Sequence, residues 1–263
     1  MTRIRVHGHR GARARFPENT IPAFEYAITQ GVDALEMDLA VTKDDVLVVS
    51  HDPILHAPFC TGPRPSAVIR ELMLAEVRQW DCGALANPRF PMQKPLPGTP
   101  MPTLDDALQL APLGHFRYHL EIKSFPRAPQ YTPPPAQFAR MVLEKIRQYH
   151  LEPRVAVLSF DFRTLVAMRK LVPEIRLSAL TEADPRGFAA IAQEAGGAEI
   201  VSPHFRLVTP QKVAAAHAAG LEVVAWTANT PAAWDRLIQA RVDAIVTDDP
   251  AALIAHLAAL GLR

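Results

Sequence analysis

The sequence predicts a closed α/β barrel of eight parallel strands, and three observations support it. Short β-rich runs alternate with Ala- and Leu-rich stretches of helical spacing, the runs ending near Gly8, Leu39, Ser50, Ile122, Phe160, Leu180, Val201, Trp226 and Val246. Repeated strand–helix units imply parallel strands joined by helical crossovers. Counting residues 46–50 as an extra strand beside residues 34–39 leaves eight main strands. The length of 263 residues suits one (β/α)8 TIM-type barrel, which typically takes about 250. A doubly wound sheet is the alternative, but no Gly-x-Gly-x-x-Gly opening supports it.

The helical stretches include residues 23–30, 136–149, 162–171, 210–219 and 231–240. Two of them begin at Pro210 and Pro231, just after Thr209 and Thr230. A capping hydroxyl followed by proline in the first turn is a helix start, and Gly220 is a helix stop. Residues 53–102 break the rhythm with ten prolines and the aromatic residues Phe59, Trp80 and Phe90. The usual barrel loop is about 2 to 6 residues. The segment is therefore expected to be an insertion on the catalytic rim after the His51 strand, within a single domain spanning 1–263. Its aromatic side chains either cover the leaving part of a substrate or anchor the segment. A second proline-rich stretch, 126–135, is a shorter loop before a helix.

Composition narrows the function classes. Hydrophobic residues make up 49%, enough for a sizeable core, and the formal net charge is +1. That balance argues against a nucleic-acid partner or a large anionic-membrane footprint, while a small anionic substrate fits. Cys60 and Cys82 are too few for a disulfide-dense scaffold, so free thiols are the default, with pairing left open. The chain opens Met1-Thr2-Arg3 without an apolar signal core, and no run of about 18 apolar residues suggests a membrane span. A cytoplasmic location is expected, or a periplasmic one if a leader has been removed.

In a barrel of this type, chemistry sits at the C-terminal ends of the strands. Glu36 and Asp38 stand two apart in the apolar run Ala34-Leu35-Glu36-Met37-Asp38-Leu39. Residues i and i+2 of a strand share a face, so both carboxylates point to the barrel axis while Leu35, Met37 and Leu39 pack under helices. Unpaired like charges there are costly, and a bound cation removes the cost. Glu121 repeats the pattern in Leu120-Glu121-Ile122-Lys123. Three hard oxygen donors suit Mg²⁺ or Ca²⁺. Taken alone, Glu36 and Asp38 are equally two carboxylates on a solvated face, and Glu121 with Lys123 an ion pair.

His9 and His51 each follow a short strand. Phosphodiester cleavage needs one group to take a proton and one to give a proton, and histidine can do either near neutral pH. His7 competes with His9 for the same face. Arg10 either grips a phosphate oxygen or pairs with a carboxylate. Trp226 either packs as core or walls the alcohol pocket.

These motifs resemble those of the glycerophosphodiester phosphodiesterases across nearly the whole chain. His9-Arg10-Gly11, Pro17-Glu18-Asn19-Thr20 and Ala23-Phe24 look like that family's N-terminal signature. Glu36-x-Asp38, Thr42-Lys43-Asp44 and His51-Asp52 continue it in order. Then follow Pro102-Thr103-Leu104, Glu121-Ile122-Lys123, Ser159-Phe160, Trp226-Thr227 and the run from Asp243 to Asp248.

The resemblance implies a β/α barrel with an insertion after the second histidine. It implies His9 and His51 as the essential histidines, Glu36, Asp38 and Glu121 as ligands of one divalent cation, and Arg10 and Lys123 as phosphate contacts. The activity it implies is hydrolysis of a glycerophosphodiester to sn-glycerol 3-phosphate and an alcohol. A lysophospholipase D on the same barrel is a rival, favoured by an exposed apolar face on the insertion. So are a silent phosphoester-binding barrel and a metal-dependent lyase or isomerase. Two departures stand out: residues 56–62 replace an Arg-Thr-Thr-like run, and Arg241 replaces a glycine. The second is expected only to reshape a turn. Pro17 to Thr20 reads as structural, with Asn19 or Thr20 capping the first helix.

Overall fold

The computed structural model describes residues 3–263. The strands in chain order are β1 (Arg5–Gly8), β2 (Ala34–Val41), β3 (Leu47–Val49), β4 (Ile54–His56), β5 (Ser66–Val68), β6 (Arg117–Ile122), β7 (Val155–Ser159), β8 (Arg176–Thr181), β9 (Ile200–Pro203), β10 (Glu222–Ala225) and β11 (Ala244–Thr247). The helices are α1 (Ile21–Thr29), α2 (Leu74–Val77), α3 (Leu104–Leu108), α4 (Pro135–Gln148), α5 (Phe162–Leu171), α6 (Phe188–Glu194), α7 (Pro210–Ala218), α8 (Pro231–Gln239) and α9 (Pro250–Ala259).

Eight strands run parallel in the order β1, β2, β6, β7, β8, β9, β10, β11, and β1 pairs with both β2 and β11, so the sheet closes. The chain is thus the expected (β/α)8 TIM-type barrel. β3 is the extra strand: it lies antiparallel on the end of β2, with Leu39 opposite Val49. The period-two pattern sorts the side chains. Leu35, Met37 and Leu39 are fully buried between barrel and helices with Phe24 and Phe138. The opposite face points inward, where Leu158, Leu180, Val224 and Val246 fill part of the barrel.

The five stretches read as helical are α1, α4, α5, α7 and α8, with ends shifted by at most two residues. Thr209 and Thr230 accept from the backbone amides of Lys212 and Ala233, as N-caps should. Neither Asn19 nor Thr20 caps α1 with its side chain, contrary to expectation. Thr20 donates its hydroxyl to the Pro17 carbonyl at 2.6 Å, and Asn19 turns its amide elsewhere.

Arg241 follows α8 at φ +62°, in the left-handed region. The Arg241 amide bonds to the Ile238 carbonyl and the Val242 amide to that of Leu237, the paired bonds of a Schellman end. Glycine takes that backbone without the Cβ clash. Arg241→Gly is therefore expected to stabilise the fold by about 1 kcal/mol, read as a higher urea midpoint.

The insertion builds a small core of its own beyond the rim. β4 and β5 form an antiparallel pair, and Leu55, Ile69, Leu72, Val77 and Trp80 pack on Ala40 and Val48 at the far ends of β2 and β3. Trp80 is 3% exposed, and a Cβ on Gly62 would lie 2.4 Å from its ring. Trp80 therefore anchors the segment, which removes it from the residues that might cover a substrate. Cys60 and Cys82 form a disulfide, so the free-thiol default is corrected. Thr61 and Asp81 exchange both backbone hydrogen bonds at 2.8 Å, which sets the two cysteines beside each other.

Beside Leu158, Leu180, Val224 and Val246 the barrel interior also holds polar side chains. Arg5 and Arg176 both bind Glu222 at the bottom. Above them His7 and His119 meet edge to face at 4.4 Å, and among the described residues the Nδ1 atoms of both lack a hydrogen-bond partner. Burial, with Arg5 and Arg117 nearby, pulls His7 down to about 3. The folded state thus keeps His7 neutral where the unfolded chain, titrating at 6.5, takes up a proton. This contribution to stability is complete above pH 6.5 and is lost as pH falls toward 3. The expected loss from His7 alone is roughly 2 kcal/mol between pH 6.5 and 5, measured by urea unfolding. A His7→Gln, His119→Gln variant should show a flatter dependence over that window.

Candidate active site

His9, Arg10, Glu36, His51, Glu121, Lys123 and Trp226 line one cavity of about 390 Å³ at the C-terminal end of the barrel. Asp38 is buried beside them, 1% exposed. The structure therefore brings all eight predicted site residues to one place. His7, the competitor of His9, sits one layer lower and does not line the cavity.

Register explains the carboxylate cluster. β2 and β6 pair with Asp38 opposite Glu121, and Glu36 lies two residues back on the same face. Oxygens of Glu36, Asp38 and Glu121 fall within 4.8 Å of one another. Burial, then the charges of Asp38 and Glu121, push Glu36 well above the usual carboxylate range. Burial also raises Glu121, against the pull of Lys123. Burial works upward on Asp38 too, but Arg10, His51, Lys123 and the Asn19 amide outweigh it and hold Asp38 low. Lys123 sits 2.9 Å from Glu121 and 3.7 Å from Asp38. Arg10 reaches Glu18 at 2.5 Å and Asp38 at 3.2 Å, so both bases pair with carboxylates.

The Arg10 backbone amide donates to Glu36 at 2.9 Å from a left-handed residue, φ +50°. Gly11 follows at φ +85°, where a Cβ would sit 2.7 Å from the Ala23 backbone. The His9-Arg10-Gly11 sequence thus folds as a tight turn that aims a backbone N–H at the acidic cluster. Asn19, read from sequence as a helix cap, donates its side-chain amide to Asp38 at 2.9 Å.

Each histidine is held by an aspartate. His9 Nδ1 lies 2.6 Å from Asp248 and His51 Nδ1 2.7 Å from Asp52. Against burial, the contacts of His9 and Arg13 keep Asp248 low, so it accepts and Nδ1 donates. That leaves His9 Nε2 with its lone pair, 3.9 Å from Glu36. Burial and Arg13 lower His9 to about 4 despite Asp248, so it is neutral near pH 7. Asp248 is itself fixed by Arg13 at 2.6 Å and by the Asn229 amide at 2.7 Å. Asp248, Arg13 and Asn229 received no role from sequence. Asp248 follows β11 directly, so the strand-end rule would have reached it had that strand been read as ending at Thr247.

Opposite the charged sector, Phe160, Leu180, Glu182 and Trp226 wall the cavity. Trp226 Nε1 donates to the Ser202 carbonyl at 2.7 Å, and Phe160 meets its ring edge-on at 5.4 Å. Trp226 accordingly faces the cavity while packing on barrel residues, combining the two readings left open.

The sequence model of the glycerophosphoryl diester phosphodiesterase family matches residues 9–252. A glycerophosphodiester phosphodiesterase of Caldanaerobacter subterraneus subsp. tengcongensis is 28% identical over 95% of this chain and 96% of its own. A crystal structure from Silicibacter pomeroyi DSS-3, provisionally named a glycerophosphoryl diester phosphodiesterase, superposes with a TM-score of 0.92. It is 33% identical, covering 99% of this chain and 95% of that one. An Oleispira antarctica phosphodiesterase, solved with its product sn-glycerol-3-phosphate, shares the fold at a TM-score of 0.83. It is 24% identical, with 97% of both chains covered. The match over almost the entire barrel, on the strand ends that line this cavity, places the chain in the glycerophosphoryl diester phosphodiesterase family.

Proposed function

We propose that this chain hydrolyses glycerophosphodiesters to sn-glycerol 3-phosphate and an alcohol, with a divalent cation on Glu36, Asp38 and Glu121 and with His9 and His51 moving the protons. The observation that carries this reading is the shared cavity: two aspartate-held imidazoles open onto the space that Glu36 and Glu121 border, with an Asp38 oxygen within 4.8 Å of theirs.

The donor set fits a hard cation. All three donors are buried oxygens, and Arg10 and Lys123 leave them short of charge balance, since Arg10 is shared with Glu18. Such an ion supplies charge neutralisation for a phosphoryl oxygen and its leaving group. The chain's own residues do the rest. Arg10 and Lys123 meet the negative charge that builds on the phosphoryl oxygens. One imidazole takes the proton of the attacking hydroxyl at Nε2, and the other gives a proton to the departing alkoxide. Asp248 and Asp52 fix the ring orientations. The attacking hydroxyl belongs to water or to the glycerol C2 position.

Asn19 orients Asp38 within this set. Asn19→Ala is expected to weaken cation binding about tenfold, the usual scale for a residue that orients a ligand. The check is the rise in Tm on adding Mg²⁺ or Ca²⁺, which should need a correspondingly higher concentration.

The function is tested by following glycerophosphocholine with phosphorus NMR in the presence of Mg²⁺ or Ca²⁺. The expected products are sn-glycerol 3-phosphate and choline. Phosphocholine and glycerol in their place, or an unchanged substrate, would contradict the proposal. Leu85 and Met92 stand exposed on the insertion, at 45% and 64%, and favour a second reading. On that reading lysophosphatidylcholine is also cleaved, to a lysophosphatidate and choline. Inertness toward that lipid would remove it.

A further inference from the structure

The cavity has two chemically different sectors. His9, Arg10, Glu36, His51, Glu121 and Lys123 come from the neighbouring elements β1, β2, β3 and β6 and carry the charges that suit a phosphodiester. The other sector is formed by the residues that directly follow β7, β8 and β10, namely Phe160, Glu182 and Trp226.

Glu182 differs from the acids around it. Asp161 is bound by Arg163, and Asp184 and Glu194 are both bound by Arg186. Among the described residues Glu182 has no ion-pair partner, although it lines the cavity. Of the two rings beside it, Trp226 is held in place by its hydrogen bond to Ser202 and by edge contacts with Phe160 and His204 at 5.4 and 5.3 Å. Phe160 is 43% exposed, and the Lys123 ammonium of the charged sector lies 5.9 Å from the centre of its ring.

Two aromatic rings, one of them fixed, and a carboxylate without an ion-pair partner form the combination that attracts an organic cation. The rings offer their quadrupoles and the acid a full charge. A neutral polyol such as glycerol gains from neither. We infer that Phe160, Glu182 and Trp226 form the subsite for the leaving alcohol, and that Glu182 makes it selective for alcohols bearing an ammonium group. The inference rests on the phosphodiesterase reading above. It assigns the uncharged glycerol arm to the remaining space and the variable, cationic arm to this wall.

The test has a binding arm and a turnover arm, both with Mg²⁺ present. In the first, choline and its neutral isostere 3,3-dimethylbutan-1-ol are titrated into the protein by NMR or calorimetry. Choline should bind about fivefold more tightly, and Glu182→Gln should remove most of that advantage. In the second arm, kcat/KM is compared for glycerophosphocholine and glycerophosphoglycerol. Glu182→Gln should lower the ratio about fivefold, with KM rising more for the choline diester than for the neutral one, and Glu182→Lys should lower it further. High salt should shrink the wild-type preference, because Glu182 stands at the open mouth. A choline advantage that Glu182→Gln leaves intact, or equal binding of choline and the isostere, overturns the inference. If neither diester is cleaved but the choline advantage depends on Glu182, the subsite stands and the hydrolytic reading falls.

Discussion

His9→Ala and His51→Ala should each reduce kcat/KM toward a glycerophosphodiester by about 10²- to 10⁴-fold, the scale set by losing a general acid or base. The double variant should fall little further than the worse single one, because two proton transfers that serve one bond cleavage fail as a unit. Neither substitution removes a carboxylate of the cluster, so the rise in Tm on adding cation should survive in both. Asp248→Asn separates orientation from chemistry. It keeps the shape of the site but loses the carboxylate charge, and one of the two acceptor oxygens, that make His9 Nδ1 the donor. An intermediate loss is expected. His7→Ala should leave kcat/KM within a small factor, since His7 packs on His119 below the cavity, and should act mainly on stability. A mild His9→Ala beside a severe His7→Ala would reverse the assignment.

Glu36→Gln should be comparably severe for turnover and opposite in sign for stability in the two ionic states. Without a cation, burial and the charges of Asp38 and Glu121 disfavour the Glu36 carboxylate. Removing the charge relieves repulsion, so the variant should melt at a higher temperature than wild type in chelator. With Mg²⁺ or Ca²⁺ the order should invert, because only the wild type gains the binding free energy of the ion. Cation affinity should fall by about 10²-fold or more, beyond the loss for a residue that merely orients a ligand. Asp38→Asn lacks the stabilising arm, because Arg10, His51 and Lys123 already favour its charge. A Glu36→Gln variant less stable than wild type in chelator would mean that the cluster is balanced by the protein's own cations.

The barrel and the core of the site could be read from sequence because both depend on local periodicity. Glu36 and Asp38 on one face, with Leu35, Met37 and Leu39 on the other, follow from the two-residue repeat of a strand, and so does Glu121 beside Lys123. The supporting residues were harder to read because they depend on long-range placement. Asp248 reaches His9 across 239 positions. Asn19 looks like a helix cap in sequence and becomes an Asp38 partner only because the turn after β1 passes over β2. The anchoring of Trp80 and the pairing of the two cysteines are hard to read from sequence for a related reason. The insertion has no periodicity to show which aromatic groups face inward, and the Thr61–Asp81 bridge that brings Cys60 to Cys82 is formed by backbone hydrogen bonds alone. Arg241 could be flagged as a departure from the glycine of related chains, but its left-handed backbone is visible only in three dimensions.

Turnover is expected to depend on one cation held by the three buried carboxylates. The direct measurement is glycerophosphocholine turnover against bound metal, starting from exhaustively chelated protein and adding Mg²⁺ or Ca²⁺ back while metal content is determined. No turnover is expected in the chelated protein, and activity should rise in proportion to bound ion, levelling at one ion per chain. Full activity in protein shown to carry no metal would contradict this dependence.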